Sequence, residues 1–404
     1  MKKNMVILFL LILFLGTIAA CALFMSSGCG SDSGFTTGER KMTSNNEERV
    51  YYLDLPKDYN ANSAYPLIFA FHGLTGDYTS FTEGSTYNLK SVMGEEAILV
   101  YPNALLAANG MSIWGDEDLT FFDDLYEELA ATLCFDKRKV FAVGHSNGAG
   151  FTHTLGCKRG NKLRAISPLA GSLMDRLECI GQVAVIQIHG KNDTIVPLQW
   201  IRPSRDYWVA INSCNKEETQ EGVDQSCEAY SACDADFPVE YCEHSGGHWW
   251  PDFAGDAVWN FFKSLPPAEP SNEIGTGDLG DLAQGTINFK ILYPSDFVGR
   301  PEKLMLSLHP PNTTPPFSDR LLYILNFYIA PGDYQFGEVT EYNNVEIYFQ
   351  DVPYGDYTLS LTVYVEGSNY PIRTKGKDYQ SNQKITIDVR TTITVETPFE
   401  LELA

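Results

Sequence analysis

The sequence predicts an α/β chain, a mostly parallel sheet with helices on both faces, followed by a smaller β-sandwich. Three observations carry this. From Arg49 to Phe262, short apolar runs alternate with amphipathic stretches. Between Leu265 and Gly280 a segment rich in Pro, Gly, Asp and Glu interrupts the pattern. Beyond it the runs alternate or are β-branched, and no helical period persists.

Pro66–Phe71 (PLIFAF), Ala97–Tyr101 (AILVY), Val140–Gly144 (VFAVG), Ala165–Ala170 and Ala184–His189 (AVIQIH) read as strands. Near-continuous apolar runs suit strands covered on both faces. Leu119–Leu133, Asn147–Cys157 and Pro203–Ser213 read as helices between them, and helical crossovers join parallel strands. Thr286–Leu292, Leu304–Leu308, Leu321–Ile329, Asn344–Gln350, Tyr357–Val365 and Ile385–Val395 supply the sandwich, with turns such as Pro353-Tyr354-Gly355-Asp356. The expected division is 1–29 a signal, 30–47 a polar tether, 48–264 the α/β domain, 265–283 a linker and 284–404 the sandwich. The sandwich holds no cysteine and one histidine, His309, which makes it a poor place for chemistry.

Acidic residues outnumber basic ones 52 to 29, a formal charge of −23, which repels phosphate backbones and argues against nucleic acid as a partner. At the N-terminus, Lys2 and Lys3 precede the apolar stretch Met5 to Met25, the pattern of a secretory signal. Ile18-Ala19-Ala20-Cys21 fits a lipobox, in which the cysteine is acylated; Cys29, before a small polar stretch, is a second candidate. An uncleaved membrane anchor is the bland alternative. The mature chain is therefore expected outside the cytosol: periplasmic, lipid-anchored at a cell surface, or extracellular.

Gly144-His145-Ser146-Asn147-Gly148 matches G-x-S-x-G. The motif is weak alone, but here an apolar strand ends at Gly144 and a helix opens after it, the strand–turn–helix context of a nucleophile elbow. A serine nucleophile needs a base that is itself oriented, in the chain order serine, acid, histidine. Asp193 follows the strand Ala184–His189 in a loop at the sheet's carboxyl edge. His248, in Gly246-Gly247-His248-Trp249-Trp250, lies on a loop after the short run Val239–Glu243. His244 sits nearer its strand end and His153 inside a helix, so His248 is preferred. Donors for a developing oxyanion are expected from the N–H of Asn147, next after Ser146, and of Leu74 in the turn His72-Gly73-Leu74-Thr75-Gly76. Trp114, Trp249 and Trp250 are candidate pocket walls, with burial in the core as the alternative. Asp116, Glu117, Asp118, Asp123 and Asp124 lack an EF-hand loop and read as a solvated acidic helix start. No H-E-x-x-H, paired C-x-x-C or G-x-G-x-x-G after a strand occurs, so neither a metal nor a cofactor is expected.

With these residues placed, the region from about Arg49 to Lys263 resembles the secreted esterases grouped around polyhydroxybutyrate depolymerases and feruloyl esterases. The resemblance runs through R-x-Y-x-L-x-L-P (Arg49 to Pro56), the His72-Gly73 turn, Tyr101-Pro102-Asn103-Ala104, Trp114 with Asp123-Asp124, and Asp136 leading to the serine turn. It continues through Asp193-Thr194-Ile195-Val196-Pro197 and Gly247-His248-Trp249-Trp250-Pro251. Ala149 stands where glycine is usual, and Trp249 where threonine is common. The resemblance implies an α/β-hydrolase fold and esterase activity on polymeric or small esters. The segment Cys233 to His248 looks more like the feruloyl-esterase branch. Three other readings remain open: a polyester depolymerase with the same triad, a serine peptidase on this fold, and an inactive surface protein whose sandwich binds polysaccharide or the cell surface.

Seven cysteines lie in the α/β domain, an odd number for an oxidising compartment. Cys134 is expected to pair with Cys157, because strand and elbow helix return both to the edge opposite the serine. Cys214, Cys227, Cys233 and Cys242 supply two more bridges of open connectivity, leaving Cys179 over.

Overall fold

The computed structural model describes residues 24–31, 34–83, 87–106, 110–173, 182–234, 236–268, 284–309, 323–329, 335, 338–348, 355–365, 379–387, 392–395 and 397–403. Lys2, Lys3, Cys21, Cys179 and most of the 265–283 linker lie outside them.

Ten strands form the central sheet: β1 (Gly38–Ser44), β2 (Glu47–Asp54), β3 (Tyr65–Phe71), β4 (Ile98–Pro102), β5 (Phe135–His145), β6 (Ala165–Leu169), β7 (Ala184–Gly190), β8 (Asn215–Glu221), β9 (Cys227–Ser231) and β10 (Val239–His244). Their order is β1-β2-β4-β3-β5-β6-β7-β10-β9-β8. From β4 across to β10 the neighbours run parallel. The flanking strands pair antiparallel. The continuous apolar runs have a direct cause. In β3, Leu67, Phe69 and Phe71 enter one hydrophobic core while Ile68 and Ala70 enter the other, so both faces are dry.

Helices α1 (Thr79–Thr82), α2 (Leu89–Met93), α3 (Asp118–Thr132), α4 (Asn147–Lys158), α5 (Leu198–Ile211) and α6 (Ala254–Ser264) fill the connections. On one face Phe122, Leu125, Phe151 and Trp208 cover the sheet; on the other Trp259 and Phe262 do, with Phe262 stacked on Phe141 at 4.2 Å. Helix α5 starts five residues before Pro203, the expected start. Pro197 caps it instead, and Pro203 is carried inside the helix. The acidic start of α3 also departs from expectation at one residue. Asp118 is buried and ion-paired with Arg49, whose guanidinium lies 3.8 Å from the Phe121 ring and donates to Asn103 O at 3.0 Å. A buried charge needs such a partner. Asp123 pairs with Arg159 and Lys162, and no metal-ligating cluster occurs among the described residues.

Two expectations for the N-terminal region are corrected. Residues 30–47 are not a free tether, because β1 pairs with β2 along its whole length. Residues 24–31 form a strap on the body: Ser26 N donates to Phe135 O, Gly28 N to Ala130 O and Lys137 N to Phe24 O, all within 2.9 Å. Cys29 is disulfide-bonded to Cys134, which removes it as an acylation site and excludes the Cys134–Cys157 pair. Cys157 is disulfide-bonded elsewhere. The remaining bridges are Cys214–Cys233 and Cys227–Cys242, which staple the β8–β10 segment. Such bridges persist in oxidising compartments, in keeping with export.

The C-terminal region contributes two more sheets. One is β14 (Val339–Tyr348), β11 (Gln284–Leu292) and β17 (Thr392–Thr394), with β18 (Phe399–Glu400) also paired to β11. The other runs β13 (Tyr323–Ile329), β12 (Pro301–His309), β15 (Gly355–Val365), β16 (Tyr379–Ile387) and β19 (Glu402–Leu403). Ile287, Phe289 and Ile291 of one sheet share a core with Leu304, Leu306, Leu359 and Leu361 of the other, so the pair is a sandwich.

Candidate active site

Strand β5 delivers Ser146 onto a turn that an L-residue adopts only under constraint: φ is 57° and ψ −120°. Such strain costs about 1–3 kcal/mol and is held in place by packing. Here the packing is close backbone approach. A Cβ on Gly148 would lie 2.2 Å from Phe71 O, so only glycine lets α4 start against the end of β3.

The acid and histidine loops leave β7 and β10, which are parallel neighbours. They touch through one backbone and one side-chain hydrogen bond: Asn192 N donates to Gly246 O at 2.9 Å and Asn192 Nδ2 to Ser245 O at 2.7 Å. Gly190 permits the approach, since a Cβ there would lie 2.3 Å from Gly247 O. The result is a relay. His248 Nδ1 is 2.7 Å from Asp193 Oδ2, and His248 Nε2 is 2.7 Å from Ser146 Oγ. Asp193 Oδ1 accepts from the N–H groups of Ile195 and Val196, each at 2.8 Å. Burial alone would raise the Asp193 carboxyl, but the hydrogen bonds from His248 and the backbone outweigh it and hold it below its ordinary value. His244 turns away; its Nδ1 accepts from Gly246 N at 3.1 Å.

The His72-Gly73 turn stands over the serine, with a Cβ on Gly73 placed 3.4 Å from Ser146 Cβ. Burial lowers the His72 pKa and keeps its ring neutral. Its Nδ1–H then donates to Gly73 O at 2.8 Å, and Nε2 accepts from Ala104 N at 3.2 Å. Thr75 N and Gly76 N are bonded to Ser112 O and Gly73 O. The N–H groups of Leu74 and Asn147 have no hydrogen-bond partner among the described residues.

Of the three tryptophans, Trp114 and Trp250 are buried. Trp114 Nε1 donates to His72 O at 2.9 Å, and its backbone N–H donates to Asn147 Oδ1 at 2.8 Å, so it braces both turns. Trp250 Nε1 donates to Asn88 Oδ1 at 2.8 Å. Trp249 alone is open, at 55% exposure.

The relatives agree with a hydrolytic site. A probable feruloyl esterase C of Aspergillus terreus is 32% identical over 265 residues, covering 61% of this chain and 94% of that protein. Feruloyl esterase D of Neurospora crassa is 31% identical over 258 residues, covering 59% and 88%. The chain belongs to the feruloyl esterase family. No family model matches it. Among solved structures, an acetyl xylan esterase from Aspergillus awamori aligns with 56% of this chain and 99% of its own, at 15% identity and TM-score 0.44. This feruloyl esterase homologue is a carboxylic ester hydrolase, and its own mostly parallel sheet with helices on both faces is an α/β architecture.

Three features around the site escaped the sequence reading: the Arg49–Asp118 pair, the hydrogen bond between Tyr87 OH and His145 Nδ1 at 2.9 Å, and His189 behind Asp193. A histidine closing the apolar run AVIQIH was the available signal for the last. Burial lowers His145 to about 3 and His189 to about 4 from 6.5. Between these values and 6.5 the unfolded chain binds protons that the folded one refuses. Stability is therefore full above pH 6.5 and falls as the pH drops toward 4. Removing His145 as a titrating group, in His145→Gln, should shrink the stability lost between pH 7 and pH 5 by about 2 kcal/mol. Urea unfolding at both pH values measures this; an unchanged loss would contradict a neutral His145.

Proposed function

We propose that this esterase hydrolyses feruloyl esters carried on polymers through an acyl-enzyme on Ser146. The relay Asp193–His248–Ser146 is the observation that carries the reading. His248 Nε2 takes the Ser146 proton as Oγ attacks the ester carbonyl, and the oxyanion forms against the N–H groups of Leu74 and Asn147. Collapse breaks the ester C–O bond, and the alcohol leaves with the proton from His248. Water then gives a proton to His248 and attacks the acyl-enzyme; as the acyl C–Oγ bond breaks, His248 returns that proton to Ser146 Oγ and the acid leaves.

The rim supports an aromatic acyl group. Leu106, Ile195 and Trp249 are 73%, 64% and 55% exposed, and they sit on the loops after β4, β7 and β10. A flat ring gains stacking on the Trp249 face. The C-terminal sandwich is read as a module that holds polysaccharide or cell surface near this rim and raises the effective substrate concentration. On soluble substrates, kcat/KM for methyl ferulate should exceed that for hydroxybutyrate oligomers. The reverse order, by a wide margin, would replace this reading with a polyester depolymerase.

Acylation at Cys21 accompanies the proposal. Only Ala22 and Leu23 separate Cys21 from the strap that begins at Phe24, so cleavage before Cys21 leaves every strap contact in place. Intact mass of membrane-extracted protein should give an acylated N-terminus at Cys21. An unacylated terminus beyond Cys29 would reject both the anchor and the strap.

A further inference from the structure

We infer that His189 is a positioning residue for ester hydrolysis, acting through the acid loop rather than on substrate. It rests on the assignment of Asp193 as the acid. His189 lies on β7, its side chain wholly buried and four residues before Asp193. Its Nε2 is 2.9 Å from Val196 O, and a carbonyl only accepts, so this nitrogen carries the proton of the neutral ring. Nδ1 is then bare, and it has no partner among the described residues.

That single N–H does two things. It latches the Val196 carbonyl and so closes the turn whose Ile195 and Val196 N–H groups hold Asp193 Oδ1. The same Nε2 is 3.7 Å from Asp193 Oδ2, too long for a hydrogen bond, yet close enough to place a polarised N–H beside the oxygen that receives His248. Without the latch, the turn loses one of the bonds that fix its shape, in a segment that also carries the exposed Ile195. Asp193 would then hold His248 less sharply in orientation, and misplacement by about 1 Å costs on the order of 10²-fold in rate. Substrate contacts are not touched, so the loss belongs in kcat.

Glutamine and asparagine separate reach from polarity, since the glutamine amide extends to about where Nε2 stands and the asparagine amide stops short. Expected results with methyl ferulate are His189→Gln within about threefold of wild type, and His189→Asn lowered about 10- to 100-fold in kcat with KM within about twofold. Thermal unfolding of each variant shows that the compared proteins are folded. Equal kcat for the two variants, or a loss confined to KM, would overturn the role of His189. Asp193→Asn in the same series keeps the two ideas apart. If it retains wild-type kcat, the acid assignment itself fails; if it is crippled while His189→Asn is not, only the latch fails.

Discussion

Ser146→Ala is expected to lower kcat for ester hydrolysis by about 10⁶-fold while leaving the fold intact, the scale seen when a triad nucleophile is removed. The physical basis is the loss of the oxygen that His248 Nε2 holds in the relay, 2.7 Å away. Binding and the N–H groups of Leu74 and Asn147 remain, and they sustain only a residual rate. Alanine also lacks the hydroxyl but keeps the Cβ, so the strained turn at φ 57° meets no new steric demand. Steady-state assay with p-nitrophenyl acetate tests this, with circular dichroism as the check on folding. Retention of more than about a tenth of wild-type turnover would reject the nucleophile.

Asp193→Asn should cost about 10⁴-fold in kcat. The carboxylate accepts from His248 Nδ1 on one oxygen and from two backbone N–H groups on the other. An amide can keep one side of this arrangement. With its oxygen toward Ile195 and Val196, its NH₂ faces Nδ1, and the imidazole is driven to the tautomer whose Nε2 carries a proton. That nitrogen can no longer take the proton from Ser146. The substitution therefore acts through tautomer and not through geometry. A rate within tenfold of wild type in the same assay would contradict it.

Much of the α/β region was legible because its signals are local. Five apolar runs became β3 to β7, since strands dry on both faces leave no polar alternation to misread. Gly144-His145-Ser146-Asn147-Gly148 announced the turn because close approach of helix and strand admits only small residues at Gly148. The pairing of Asp193 and His248 followed from chain order at one sheet edge, and their loops meet because β7 and β10 are adjacent. What failed was nonlocal. Cys29 looked like part of a processing signal, whereas the strap brings it to Cys134, 105 residues away. Parity held the clue: with Cys21 set aside for acylation, Cys29 makes eight cysteines instead of seven. Trp114 and Trp250 carried both a pocket-wall and a core reading, because the chain does not show which distant acceptor an indole N–H in a dry interior will find. His72 O and Asn88 Oδ1 supply the acceptors and draw both rings inward. Asp118 seemed one more exposed acid until its partner Arg49, on a distant strand, came into contact.

Ester hydrolysis is expected to pass through a covalent feruloyl intermediate on Ser146 Oγ. Rapid mixing with p-nitrophenyl ferulate, acid quench and peptide mass mapping test it most directly. A burst of p-nitrophenol and a feruloyl adduct on the peptide bearing Ser146 are expected, both absent in Ser146→Ala. Full turnover with no adduct under the burst conditions, or an adduct on another residue, would contradict it.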